Sequence, residues 1–166
     1  MKFSLIDRID ELEPGKRIRG SKVLAMAEEY LRDHFPKFPV MPGVLMIEAM
    51  TQASAWLVRV SEDFAHSMVL LKEVKHVKFG KFLQPGQTLV VTATMVSETE
   101  HEVVLKTEGT IDGETRIRAQ LTMARYNLGD LSESQAVFDS KLIERLREEL
   151  ALIWDQYIPE RDQKTN

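Results

Sequence analysis

Apolar residues crowd one stretch of this chain, residues 40–58, and there they recur around nearly the whole helical circumference. Val44, Leu45, Met46, Ile47, Met50, Trp56 and Leu57 leave little of a helix polar, so the pattern predicts a helix buried on nearly all sides, as one wrapped by a curved sheet would be. Pro42 suits its first turn, and good helix formers carry it to about Val60. Ahead of it, residues 3–6 read as a short extended segment, Glu13-Pro14-Gly15 as a turn, and residues 16–26 as a strand. Residues 28–39 read as loop, because Pro36 and Pro39 disfavour helix in the residue before each. Past a polar loop at 61–67, four runs rich in Val, Thr, Leu and Ile span 68–79, 88–97, 102–111 and 115–126. Gln84-Pro85-Gly86-Gln87 connects the first two, and Asp112-Gly113 marks a tight hairpin between the last two. Two strands, one long helix and a four-strand meander make an α+β pattern. Residues 132–156 add an amphipathic helix with the stripe Leu142, Leu146, Leu150, Ile153 and Trp154, and Ser132 with Gln135 has capping-box spacing. The tail 159–166 is expected to be mobile.

At 166 residues the chain fits one domain. A net charge of −4 argues against a field-driven role on nucleic acid or an anionic membrane. The absence of cysteine excludes disulfides, thiolate nucleophiles and thiolate-held zinc. The first dozen residues include acidic ones and no long apolar run, so no signal peptide is expected. Glu48, Thr51, Gln52 and Ser54 make residues 40–58 a poor membrane span. A cytoplasmic protein is the default reading.

Glu48 is the only ionisable side chain between Val40 and Val58. A carboxyl in such company needs a partner or a purpose, and burial would favour its protonated, proton-donating form. Gln52, one turn on, is placed to hydrogen-bond it. On the helix alone, a structural Glu and a chemical one are equally good readings. His34 lies in the proline-rich loop just upstream, and imidazole is the side chain suited to moving protons near neutrality, although a lone loop histidine is more often a solvated one. Gly43 opens the helix, where N–H groups lack intrahelical acceptors and can hold developing negative charge, or where a glycine simply eases a tight entry. Base, acid and oxyanion donor are the parts of a β-elimination. His66, His76 and His101 lack metal-ligand spacing, and no G-x-S-x-G is present. Lys72, Lys75, Lys78 and Lys81 form a basic stretch that fits an acidic partner or, more simply, a solvated surface, and Arg116 with Arg118 is equally ambiguous.

Residues 34–52 carry the block H-F-P-x-x-P-V-M-P-G-V-L-x-x-E-A-M-x-Q, which resembles the 3-hydroxyacyl-(acyl-carrier-protein) dehydratase family. Leu12-Glu13-Pro14-Gly15-Lys16-Arg17-Ile18, Val77-Lys78-Phe79, Gln84-Pro85-Gly86 and Ile111-Asp112-Gly113 agree in order, so the resemblance spans about residues 3–126. It implies a hotdog fold over 1–126 with a C-terminal helical extension at 127–158, assembled as a homodimer or a trimer of dimers with active sites across the interface. It also implies acyl carrier protein, with its phosphopantetheine-linked chain, as partner, and no metal or organic cofactor. By the same resemblance His34 of one subunit abstracts the α-proton, Glu48 of the other protonates the departing hydroxyl, the Gly43 amide holds the thioester oxygen and Gln52 orients Glu48. Members that also isomerise the double bond typically have Asp at the Glu48 position, so plain dehydration is expected. This chain departs from the family pattern at Asp33, where a small residue is usual and where a carboxylate either raises the His34 pKa or points to solvent. It departs also at Ala27-Glu28-Glu29-Tyr30-Leu31, where Asn-Glu-Pro-Phe-Phe is usual, and in lacking an N-terminal Pro-His-Arg-Tyr-Pro-like segment. A hotdog thioesterase and a non-catalytic acyl-binding homologue are the competing readings.

Overall fold

In a computed structural model, residues 3–32 and 37–158 are described. The chain forms strands β1 (Arg8–Glu13) and β2 (Arg17–Val23), helix α1 (Gly43–Ser61), strands β3 (Met68–Phe79), β4 (Thr88–Glu98), β5 (Glu102–Ile111) and β6 (Glu114–Tyr126), and helices α2 (Leu128–Leu131) and α3 (Ala136–Ile153). Every strand pairing is antiparallel, and the sheet runs β1-β2-β4-β5-β6-β3. This corrects the expected four-strand meander: only β4, β5 and β6 follow one another, while β3 crosses to the far edge beside β6. Alternation dictates one buried face, with Leu89, Val91 and Ala93 of β4, Val103 and Leu105 of β5, and Ile117, Leu121 and Met123 of β6 pointing inward. All six strands touch α1, which gives the hotdog arrangement of a long helix wrapped by a sheet.

Two turns follow their residues closely. Asp112 and Gly113 both have positive φ, 52° and 78°, as a two-residue hairpin between paired Ile111 and Glu114 demands. Gly15, at φ 73°, closes the β1–β2 hairpin with the Lys16 N–H donating to the Glu13 carbonyl at 3.0 Å. Elsewhere the local reading needs correction. Residues 3–6 form no strand; Leu5 and Ile6 are both buried, so the segment packs with consecutive side chains instead of alternating ones. Pro42 is the cap residue (φ −54°, ψ 138°), and the helix proper starts at Gly43.

The Ser132–Gln135 capping box does not form, and the Ser132 hydroxyl pairs with that of Ser134. A reciprocal box forms earlier, between Asn127 and Asp130. Asp139, one turn into α3, accepts from the N–H groups of Leu128 (2.8 Å) and Gly129 (2.9 Å) and from the Ser67 hydroxyl, fastening α2 and α3 to the start of β3. The Ser67 bond, with help from the two amides, lowers the Asp139 pKa. A depressed carboxyl stabilises the fold above its unfolded-state pKa and loses that contribution as pH falls through the folded one. Asp139→Asn is therefore expected to lower the melting temperature at neutral pH, with the deficit shrinking below about pH 4; parallel melts at both pH values read it. Further along α3, Leu150 is fully buried and Arg147 stacks 4.4 Å over Phe64 while pairing with Asp63 at 2.9 Å. The helix is thus held to the turn that follows α1. Leu142 is only half-buried, and the stripe closes through Leu146, Ile153 and Trp154.

Candidate active site

The helix α1 divides lengthwise. Successive residues turn about 100°, so Met46, Met50, Ala53 and Leu57 fall on one side, and these are buried against the sheet. Glu48, Gln52, Ala55 and Arg59 fall on the other, where Glu48, Gln52 and Arg59 are only half-buried and Val44 is 70% exposed. The expected burial on nearly all sides holds from Thr51 to Val58, where every residue but Gln52 is buried, while the first turns are open at Val44 and the half-buried Glu48 lines a groove.

Gln52 is held by three hydrogen bonds. Its Oε1 accepts from the Leu5 N–H at 2.8 Å, which fixes the amide orientation and turns Nε2 toward the Phe3 carbonyl (3.2 Å) and Glu48 Oε1 (2.9 Å). The N-terminal segment thus serves as a splint for the carboxyl, a role its sequence did not announce. With Oε1 engaged as acceptor, a proton on Glu48 resides on Oε2.

At the helix entry Pro42 supplies no side-chain cap, so the first N–H groups are left for an external acceptor. A Cβ on Gly43 would lie 2.8 Å from the Phe79 ring, so glycine is what lets β3 end against the helix start. His34 and Asp33 lie outside the described residues, as does the tail from 159. The basic stretch is partly consumed: Lys72 pairs with Glu102 and Lys75 with Glu73, leaving Lys78 and Lys81 without an ion pair among the described residues. Arg116 and Arg118 pair with Glu114 and Glu108.

The groove below Glu48 has a volume of about 320 Å³. Its floor is α1, one wall is the start of β3 at Val69, Leu70 and Leu71, and its far end is closed by Leu146 and Glu149 of α3. Sequence reasoning missed Arg59 and this end wall. Arg59 stands eleven residues after Glu48, three turns along one face, a spacing that would have found it. A second cavity, of about 410 Å³, lies near the helix entry between Phe38, Phe82, Lys81 and Arg116. A third, on the outer sheet face between Lys106, Glu108 and Arg118, is remote from Glu48. Among the described residues no helix is long and apolar enough to cross a membrane.

Comparison with known proteins agrees with this geometry. A family model described as a FabA-like domain matches residues 1–120. The 3-hydroxyacyl-(acyl-carrier-protein) dehydratase FabZ of Pediococcus pentosaceus is 37% identical over 117 residues, covering 70% of this chain and 78% of that one. A chain of the dehydratase heterocomplex ApeI:P from Xenorhabdus doucetiae superposes with TM-score 0.64 at 17% identity, over 78% of this chain and 87% of that one. A mutant (Q49A) of thioesterase PA1618 from Pseudomonas aeruginosa superposes at 0.58 with 16% identity, over 72% of this chain and 80% of that one. At such identities the two solved structures speak for the shared hotdog fold alone.

Proposed function

This chain belongs to the FabA-like family, and from that premise we propose that it dehydrates 3-hydroxyacyl-acyl carrier protein thioesters to trans-2-enoyl thioesters in fatty acid biosynthesis, as a hydro-lyase of the cytoplasm. The observation that carries the reading is Glu48, set on the open side of α1 with one oxygen pinned by Gln52 and the other without a hydrogen bond among the described residues. In the proposed reaction the imidazole of His34 removes the α-proton of the acyl chain, and the electron pair passes into the thioester carbonyl. The oxygen charge is met by the Gly43 N–H at the positive end of the helix dipole. Collapse of the enolate breaks the β-carbon–oxygen bond, and the hydroxyl leaves as water with the proton from Glu48 Oε2. No oxidation state changes and no cofactor is called for. The helix face that carries Glu48 is open along its first turns, and β3 ends the sheet, so a second copy of the chain has both an edge and a face to meet. A homodimer, or a trimer of dimers, places His34 of one subunit opposite Glu48 of the other. Lys78 and Lys81 remain to meet an acidic carrier near the Phe38–Phe82 cavity.

The elimination is reversible, so hydration tests it. The protein is expected to bleach the ultraviolet absorbance of a crotonyl-pantetheine thioester without releasing free thiol. Thiol release with no hydration would assign it instead to the thioesterases, and binding without either reaction would mark an acyl-binding homologue.

A further inference from the structure

Arg59 is the anomaly of the groove. Helical side chains lean toward the N-terminus, and its Cζ lies 5.3 Å from the centre of the Trp56 ring, so the guanidinium reaches back along the groove toward Glu48. The groove around it is lined by the apolar Ala55, Trp56, Leu70 and Leu146, with Thr51 and Glu149 as polar neighbours. Among the described residues it makes one long hydrogen bond, from Nη2 to the Val69 carbonyl at 3.5 Å, and its Nε is buried with no hydrogen-bond partner. Burial pushes its pKa down to about 10, against the opposing pull of Glu149 and Glu62, so it is still a cation at neutral pH. Glu149, which pairs with Arg145 at 3.2 Å, lines the same end of the groove and adds its negative charge there. A buried N–H without an acceptor is destabilising and asks for an explanation. A plain alkyl chain lying in this groove would run its tail against that cation. The end wall is also no accident of a loose terminus, since Leu150 of α3 is buried in the core and Arg147 holds the turn after α1 through Asp63 and Phe64. It lies beyond the residues shared with the family.

We propose that Arg59 is a specificity-determining residue that receives an acceptor oxygen at the distal end of the acyl chain, so that the preferred substrates are 3-hydroxyacyl thioesters whose far end carries a carboxylate or carbonyl. This rests on the reading that the groove running from Glu48 holds the acyl chain. The reach is short: Glu48 and Trp56 are eight residues apart, about 12 Å along the helix axis, so the oxygenated end belongs on chains of modest length.

The test uses the full chain and a matched series of 3-hydroxyacyl-pantetheine thioesters of equal chain length, ending in methyl, methyl ketone or carboxylate. An oxygenated end is expected to raise kcat/KM by about ten-fold over methyl, chiefly through KM. The arm that gains more, ketone or carboxylate, identifies the source of the oxygen. Arg59→Met should erase the ratio and Arg59→Gln, which keeps a donor, should keep part of it, with circular dichroism melts confirming that each variant is folded. Equal or better turnover of the methyl series by the wild type, or a ratio that survives Arg59→Met, overturns the proposal. Should none of the thioesters be dehydrated, the dehydratase reading fails by itself. Calorimetric binding of the corresponding unreactive pantetheine amides then decides Arg59: a preference of about ten-fold for the oxygenated ends upholds it, and equal or absent binding overturns it.

Discussion

Replacing Glu48 with Gln is expected to lower crotonyl-thioester hydration roughly a thousand-fold while leaving the fold intact, since a positioned general acid typically supplies about 10²–10⁴ of rate. The substitution is unusually clean here. Gln52 Nε2 donates to Glu48 Oε1, and a glutamine side chain offers the same carbonyl oxygen at the same place. The splint from Phe3 and Leu5 through Gln52 therefore survives, and only the transferable proton is lost. Glu48 also faces the groove and not the sheet, so no core contact changes. His34→Ala, which removes the proposed base from the other side of the reacting chain, should cost a similar factor. Hydration rates together with melting curves check both variants, and retained turnover in the pair would sink the elimination mechanism.

Much of this arrangement was legible from local pattern, and the failures share a cause. The 68–79 and 102–111 runs match β3 and β5 because strand-favouring composition and the Asp112-Gly113 turn are short-range signals. Glu48 and Gln52 were readable as neighbours because four residues make one turn. Strand order was not readable: nothing within β3 tells whether it sits beside β4 or β6, since that is decided when the helix and both sheet halves pack together. The cap of the C-terminal segment went to Asn127 and Asp130 because Asp139 reaches back to the α2 amides, a contact across ten residues that competes with the Ser132 box. Arg59 was passed over because arginine ordinarily marks a solvated helix face. Its environment comes from α3, ninety residues downstream in the chain at Glu149, and no window on α1 contains it.

The complementary experiment is Leu57→Ala. Leu57 is nine residues after Glu48, a rotation of about 900° or half a turn net, so it points directly away from the carboxyl and into the sheet. It is 0% exposed, within a core that also holds Met46, Met50, Leu89 and Leu105. Removing its branched end deletes buried contacts and leaves a cavity in a layer held by six strands, which is expected to cost about 3 kcal/mol, within the roughly 2–5 kcal/mol range for such truncations. For a chain of this size that corresponds to a fall of roughly 6–12 °C in melting temperature. The hydration rate of the folded fraction at room temperature should nevertheless stay within about two-fold of the wild type, because the Glu48–Gln52 splint is carried on the opposite face and through the N-terminal segment. Denaturant midpoints and initial rates on the same preparation measure the two quantities. A loss under about 1 kcal/mol would contradict the packing of α1 on the sheet, and a collapse of rate in the folded protein would contradict the separation of its two faces. Together with Glu48→Gln, which removes rate and spares stability, the pair asks whether one helix serves core and chemistry from independent sides.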